Sequence, residues 1–264
     1  MLVCQLTFLP LWGMIRKMCD FEGVAVMLQL WERDMVRFMR DASEHGTYNQ
    51  ALAERIAPYL NKEMHICDAG CGLGYLSLAL APYVGTVTGV EVHPDASAVL
   101  AENSRRLGLR NVIARCAPIA EVIPEEPYDA MVFCFFGGIE EILEVSRQQC
   151  RGRVIVVTRN SANHRFSVGD HRTGSYGRAA SRETLEKLGI PFEEHTMSLE
   201  FGQPFRSFED ARRFYETYSK DADKAVITDE FLMDKLVAGE GDFPYYMPHR
   251  RELAILTFES KDIP

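Results

Sequence analysis

From Val24 to Asp41 the apolar residues Met27, Leu30, Trp31, Met35, Phe38 and Met39 recur at helical spacing, with Glu32, Arg33, Arg37 and Arg40 between them. This pattern predicts an amphipathic helix. After a polar break from Ala42 to Gly46, Leu52, Ile56 and Leu60 share one face of a second helix over Tyr48 to Leu60. The chain then alternates short apolar runs with helical patterns. Strands are expected at His65 to Asp68, Thr86 to Glu91, Val112 to Cys116, Tyr128 to Phe135 and Arg153 to Thr158. Helices are expected at Gly74 to Pro82, Asp95 to Leu107 and Gly138 to Ser146. Runs such as AMVFCFF and VIVV are what a parallel sheet covered on both faces requires, so the fold class is α/β and doubly wound.

The last third breaks this rhythm. A polar loop from Arg159 to Ala180 precedes a helix opened by Ser181, then a strand-like PFEEHTMSLEF, helical patterns around Phe208 to Tyr218 and Thr228 to Val237, and a closing strand, ELAILTF. About fifty residues separate the last two strands, too many for a plain loop. The expected organisation is an N-terminal helical segment or cap over 1–47, a cofactor-binding domain over 48–201 and 252–264, and a helical insertion over 202–251 that caps the substrate.

The segment ICDAGCGLGYLSLALAPY places Asp68 at a strand end, Gly70, Gly72 and Gly74 through the turn, and a helix after it. Glycine suits a turn whose backbone adopts conformations that a Cβ obstructs and that a ligand approaches closely. The dinucleotide fingerprint places its third glycine three residues after the second; here the spacing is G-x-G-x-G and Tyr75 stands in that place, which weakens a nicotinamide reading. In these residues the sequence resembles the class I S-adenosylmethionine-dependent methyltransferases. An acidic residue followed by x-G-x-G-x-G is matched by Asp68, Gly70, Gly72 and Gly74, and a second acidic strand end by Glu91, 21 residues after Gly70. The resemblance covers about residues 48 to 158.

The resemblance implies a mostly parallel seven-stranded sheet with an antiparallel last strand, and S-adenosyl-L-methionine as cofactor. It implies that the glycine turn meets the methionine part, that Asp68 lies near its amino group, and that Glu91 holds the ribose hydroxyls. A carboxylate suits an ammonium, and unpaired turn amides would suit a carboxylate. The implied cofactor-binding set is Tyr48, Asp68, Gly70, Cys71, Gly72, Gly74, Glu91, Val92, Ala117 and Phe135, with no chemistry given to the Cys71 thiol. Where the family often has an acid for the adenine amino group, this chain has Cys116, Ala117 and Pro118, which leaves main-chain groups and apolar packing.

The 264 residues are 47% hydrophobic and 25% charged, as in an ordinary globular protein, and 29 Lys plus Arg against 38 Asp plus Glu give a net charge of -9. That balance disfavours a long phosphate footprint. FCFFGG after the fourth strand also lacks the (Asn/Asp/Ser)-Pro-Pro-(Tyr/Phe) motif of amino-methylating DNA enzymes. Yet the segment from Arg159 to Arg182 holds five arginines (Arg159, Arg165, Arg172, Arg178, Arg182) and two histidines against one aspartate. This points to a small anionic metabolite as methyl acceptor, with no nucleic acid and no membrane, Arg165 and Arg172 binding it and His164 or His171 as candidate proton acceptor. The other reading of the loop is pairing with the acidic insertion, which from Gln203 to His249 carries ten acidic residues to six Lys plus Arg. Phe136, Tyr245 and Tyr246 complete the expected substrate-binding set. Alternative functions are a protein or peptide methyltransferase and a non-catalytic S-adenosylmethionine binder.

Seven scattered cysteines without a CxxC fit reduced thiols in a cytoplasmic protein, and no metal is expected. The apolar start, MLVCQLTFLPLW, is too short to span a bilayer and lacks the flanks of a signal peptide; Met14, Met18 and Met27 are alternative starts. A homodimer is an open option.

Overall fold

The computed structural model describes residues 33–160, 168, 177–219 and 221–264. The first expected helix is described from Arg33 as α1 (Arg33–His45), followed by α2 (Tyr48–Ile56), with the residues before Arg33 outside the described part. The alternating region is β1 (His65–Ala69), α3 (Tyr75–Leu80), β2 (Thr86–Glu91), α4 (Pro94–Arg106), β3 (Val112–Cys116), β4 (Tyr128–Cys134), α5 (Ile139–Gln149) and β5 (Cys150–Arg159). Then come α6 (Arg178–Leu188), β6 (Glu193–Glu200), β7 (Gln203–Phe205), α7 (Phe208–Tyr218), α8 (Asp229–Lys235), β8 (Val237–Glu240), β9 (Phe243–Met247) and β10 (Arg250–Glu259).

Seven strands form one sheet in the order β3-β2-β1-β4-β5-β10-β6. The pairings from β3 to β5 are parallel, while β10, the last strand, runs antiparallel to both β5 and β6. Strand order reverses at β1 and β4, which opens a crevice beyond their carboxyl ends. Successive side chains on a strand point to opposite faces. On β4, Met131 and Phe133 therefore join one apolar layer with α5, while Ala130 and Val132 join another with Leu52 and Ile56 of α2. Both faces are covered, as the continuous apolar runs require.

The segment between β6 and β10 is not purely helical. It carries α7 and α8 but also a three-stranded antiparallel sheet in the order β7-β9-β8. Pro204 and Pro244, which lack an amide donor, lie inside β7 and β9 and mask the strand pattern in the sequence. A third apolar cluster joins this segment to α1. Phe38 is fully buried and packs edge-on against Phe205 and Phe214, at centroid separations of 6.2 and 5.0 Å. Around that contact, Arg37 forms a two-point ion pair with Asp210, at 2.6 and 3.1 Å, and Arg206 pairs with Asp41 at 2.7 Å. Among the described residues no helix is long and apolar enough to cross a membrane.

Candidate active site

The crevice beyond β1 and β4 is a cleft of about 540 Å³. Its floor is the turn after β1. Gly70, Gly72 and Gly74 adopt φ of +67°, +56° and +76°, in the left-handed region that side chains with a Cβ avoid. A Cβ at Gly70 would strike the Phe136 ring, and one at Gly74 the Leu100 side chain. The turn is held from β2. The amides of Gly70 and Cys71 both donate to the Val90 carbonyl, at 2.9 and 3.0 Å, and that of Gly72 donates to Glu91 Oε2 at 2.9 Å. The Gly74 amide donates to the Cys71 carbonyl at 2.9 Å. The expectation that these amides are exposed for a ligand is therefore corrected, because the protein itself uses all four. What the turn offers is space.

The unmet polar group is the carboxylate of Asp68. Asp68 is 1% exposed; its Oδ2 accepts from Ser77 Oγ at 2.5 Å, while the buried Oδ1 has no hydrogen-bond partner. Burial, with the nearby Glu91 charge, pushes its pKa up to about 6 against the donation from Ser77. A buried carboxylate oxygen without a donor is costly. An ammonium group entering the cleft would remove that cost, so the site fits the amino end of S-adenosylmethionine.

The same cleft is also lined by a wall of rings around one guanidinium. Arg251, at the start of β10, places its guanidinium carbon 4.5 Å from the ring centre of Phe201, 4.7 Å from Phe135 and 5.3 Å from Tyr48. Arg159, the last residue of β5, lies 5.9 Å from Phe135. Its guanidinium pKa is lowered by burial and by the positive charge of Arg251. Phe135 itself has φ +55°, a left-handed conformation for a residue with a bulky side chain, held by donation of its amide to the Val157 carbonyl at 2.9 Å. Cys134 also lines the cleft, and burial beside Asp68 pushes its thiol up to about 12.

Of the expected site residues, the fold brings Tyr48, Asp68, Gly70, Cys71, Gly72, Gly74 and Phe135 to the cleft. It does not bring Glu91, Val92, Ala117 or Phe136 to its lining. Glu91 is buried, with its two oxygens accepting from the amides of Gly72 and His93. Val92 is an exposed side chain, and the Phe136 ring packs on Gly70 and Phe133. Tyr245 and Tyr246 also lie outside this lining. Tyr245 packs against Phe208, and the Tyr246 hydroxyl donates to Glu200 Oε1 at 2.7 Å, so neither ring reaches the cleft. Arg178 and Arg182 are drawn away by Glu194. His164, Arg165, His171 and Arg172 lie outside the described residues. The sequence reading missed Arg251, Phe201 and His249 at the cleft; PHRRELAILTF marks two arginines before a strand, but nothing local says which rings they meet.

A family model described as a methyltransferase domain matches residues 60–176, a span that contains the turn, Asp68 and Glu91. Residues 60–176 thus match a methyltransferase domain, in line with the class I resemblance of the glycine turn. S-adenosylmethionine is the cofactor that such a domain implies. The fold of the chain is similar to that of the YcgJ protein of Bacillus subtilis, with TM-score 0.54, 14% identity, and 81% of this chain and 98% of that chain covered. It is also similar to the BH2331 protein of Bacillus halodurans, with TM-score 0.53, 18% identity, and 80% and 98% covered.

Among curated proteins, the chain is 41% identical over 63 residues to a 23S rRNA (uracil(1939)-C(5))-methyltransferase of Chromohalobacter salexigens, a match covering 24% of this chain and 13% of the relative. It is 30% identical over 142 residues to an uncharacterised RNA methyltransferase of Thermosynechococcus vestitus, covering 49% and 31%. The chain thus spans less than a third of the length of either. These names overturn the expectation of a small-molecule acceptor with no nucleic acid, which the net charge, the missing Pro-Pro motif and the arginine-rich loop had suggested. Total charge averages over the surface and says little about one cleft.

Proposed function

We propose that this chain is an RNA methyltransferase that accepts a nucleotide base against Tyr48, Phe135 and Phe201. The observation that carries the reading is the ring-and-arginine wall that lines the same cleft as Asp68. RNA-binding proteins hold unstacked bases on aromatic faces and guanidinium planes, and enzymes that act on a base take it out of its stack into such a pocket. The names of the curated relatives support the same class of acceptor.

When bound, S-adenosylmethionine supplies an electrophilic methyl group on a sulfonium. Asp68 Oδ1 would hold the amino group, and the side-chain-free turn would admit the methionine part. The wall orients the acceptor, and α1 with the 202–251 segment covers it from outside. Cys71 and Cys134 line the cleft with thiols pushed well above their usual range by burial, which disfavours either as a thiolate in the cofactor-free protein. Alignment of the acceptor with the methyl group is then the main task given to the protein.

The test is transfer of label from S-[methyl-³H]adenosylmethionine into unmodified transcribed RNA, followed by digestion to nucleosides and mass spectrometry. Label in one methylated nucleoside is the expected result. Label confined to protein would instead favour a protein methyltransferase, and tight cofactor binding without transfer a non-catalytic binder; either result would overturn the reading.

A further inference from the structure

The sheet register places Leu253 opposite Arg159. Arg251, two residues earlier on β10, therefore projects from the same face as Arg159, as its diagonal neighbour. The two guanidiniums flank one ring, Phe135, at 4.7 and 5.9 Å. Among the described residues neither has a carboxylate within ion-pair distance, although the chain carries an excess of acidic side chains and many of its other arginines are so paired. Two like charges held side by side in a partly dry cleft repel, and an anion between them would reverse the sign of that interaction.

We propose that Arg159 and Arg251 form a phosphate subsite that grips the backbone phosphate next to the methylated nucleotide. This rests on the RNA reading above and names a contact within it. Guanidinium forks match phosphate oxygens, and a ring beside them offers a face to the attached base. The cofactor's own carboxylate is a poorer occupant. Its amino group belongs at Asp68 on β1, one carbon away, whereas β5 and β10 stand two and three strands from β1, roughly 10 and 14 Å at ~4.8 Å per strand. Cys134 lies between, close enough to feel both Asp68 and Arg251.

The experiment has two arms, both on the full chain saturated with S-adenosylhomocysteine. In the first, inorganic phosphate is titrated and followed by ³¹P NMR. Line broadening in the wild type that is lost in R159Q/R251Q supports the subsite, and no broadening in the wild type overturns it. In the second, affinity for a single-stranded RNA pool is measured against salt. Loss of one phosphate contact should flatten the log–log slope by about 0.7 in the double variant and weaken binding at least tenfold. R159K/R251K, which keeps charge without the fork, should fall between. An unchanged slope, or variants that lose homocysteine-product affinity while keeping the phosphate signal, would overturn the proposal. Phosphate broadening that depends on both arginines, without any RNA affinity, would leave the anion site standing and remove the RNA reading instead.

Discussion

The amide of Gly72 donates to Oε2 of Glu91 at 2.9 Å, and the other oxygen of the same carboxylate accepts from the amide of His93, also at 2.9 Å. Glu91 thus ties the turn after β1 to the end of β2. Hydrogen bonds to a charged group contribute about 1.5–3 kcal/mol each. Glu91→Ala is expected to destabilise the protein by about 3 kcal/mol, and Glu91→Gln, which keeps one acceptor, by less. Denaturant unfolding measures both, and wild-type stability in Glu91→Ala would show that the residue braces nothing.

The raised pKa of Asp68, about 6, gives a pH dependence of defined sign. Because the folded value exceeds the unfolded one, this group stabilises the cofactor-free protein fully below pH about 4, and the contribution is lost as pH rises through about 6. Cofactor binding runs the other way, since an ammonium needs the ionised carboxylate. Calorimetry should find affinity rising with pH to a plateau above 6, with pH 5 about tenfold weaker than the plateau. Asp68→Asn should bind weakly with a flat profile; a pH-dependent Asp68→Asn would assign the titration to another group.

Phe135 holds a left-handed backbone, φ +55°. Replacing it with glycine or alanine removes the same ring, but only glycine escapes the Cβ penalty, about 1 kcal/mol. Phe135→Gly should therefore unfold at higher denaturant than Phe135→Ala, the reverse of the usual order. Both should lose RNA affinity. If alanine is the more stable of the two, the backbone at this position is not strained.

Cys134 is buried at the cleft with its thiol pushed up to about 12. A reaction that used its thiolate would stop in Cys134→Ser. The expected outcome is methyl transfer within about fivefold of the wild type, a change under about 1 kcal/mol in barrier. A loss of several hundredfold would restore the thiol as a nucleophile.

The turn and its supporting strands were legible because their constraints are local: a glycine where φ is positive, an acid at a strand end, an apolar run between two helical layers. Asp68, Gly70, Gly72 and Gly74 follow from that logic. Glu91 was expected to hold the ribose hydroxyls of the cofactor; its two bonds to the amides of Gly72 and His93 depend on how β1 and β2 sit side by side, which no local pattern shows. The ring-and-arginine wall was legible only in part: Tyr48 and Phe135 were expected at the site, Phe201 and Arg251 were not. Arg251, Phe201 and Tyr48 are brought together from α2, the end of β6 and the start of β10, and the contact between Arg251 and Tyr48 spans 203 residues of sequence. Local charge counting chose the loop after β5 instead, where Arg178 and Arg182 turn out to serve Glu194. The small sheet of the insertion was hidden by its prolines, which no period-2 pattern survives.

The most direct test of the account is a crystal structure of the chain with S-adenosylhomocysteine. The amino group should donate to Asp68 Oδ1, with the sulfur directed toward Phe135 and the Arg251 wall. A map in which the homocysteine product lies away from the glycine turn, or in which Asp68 Oδ1 stays without a partner, would contradict it.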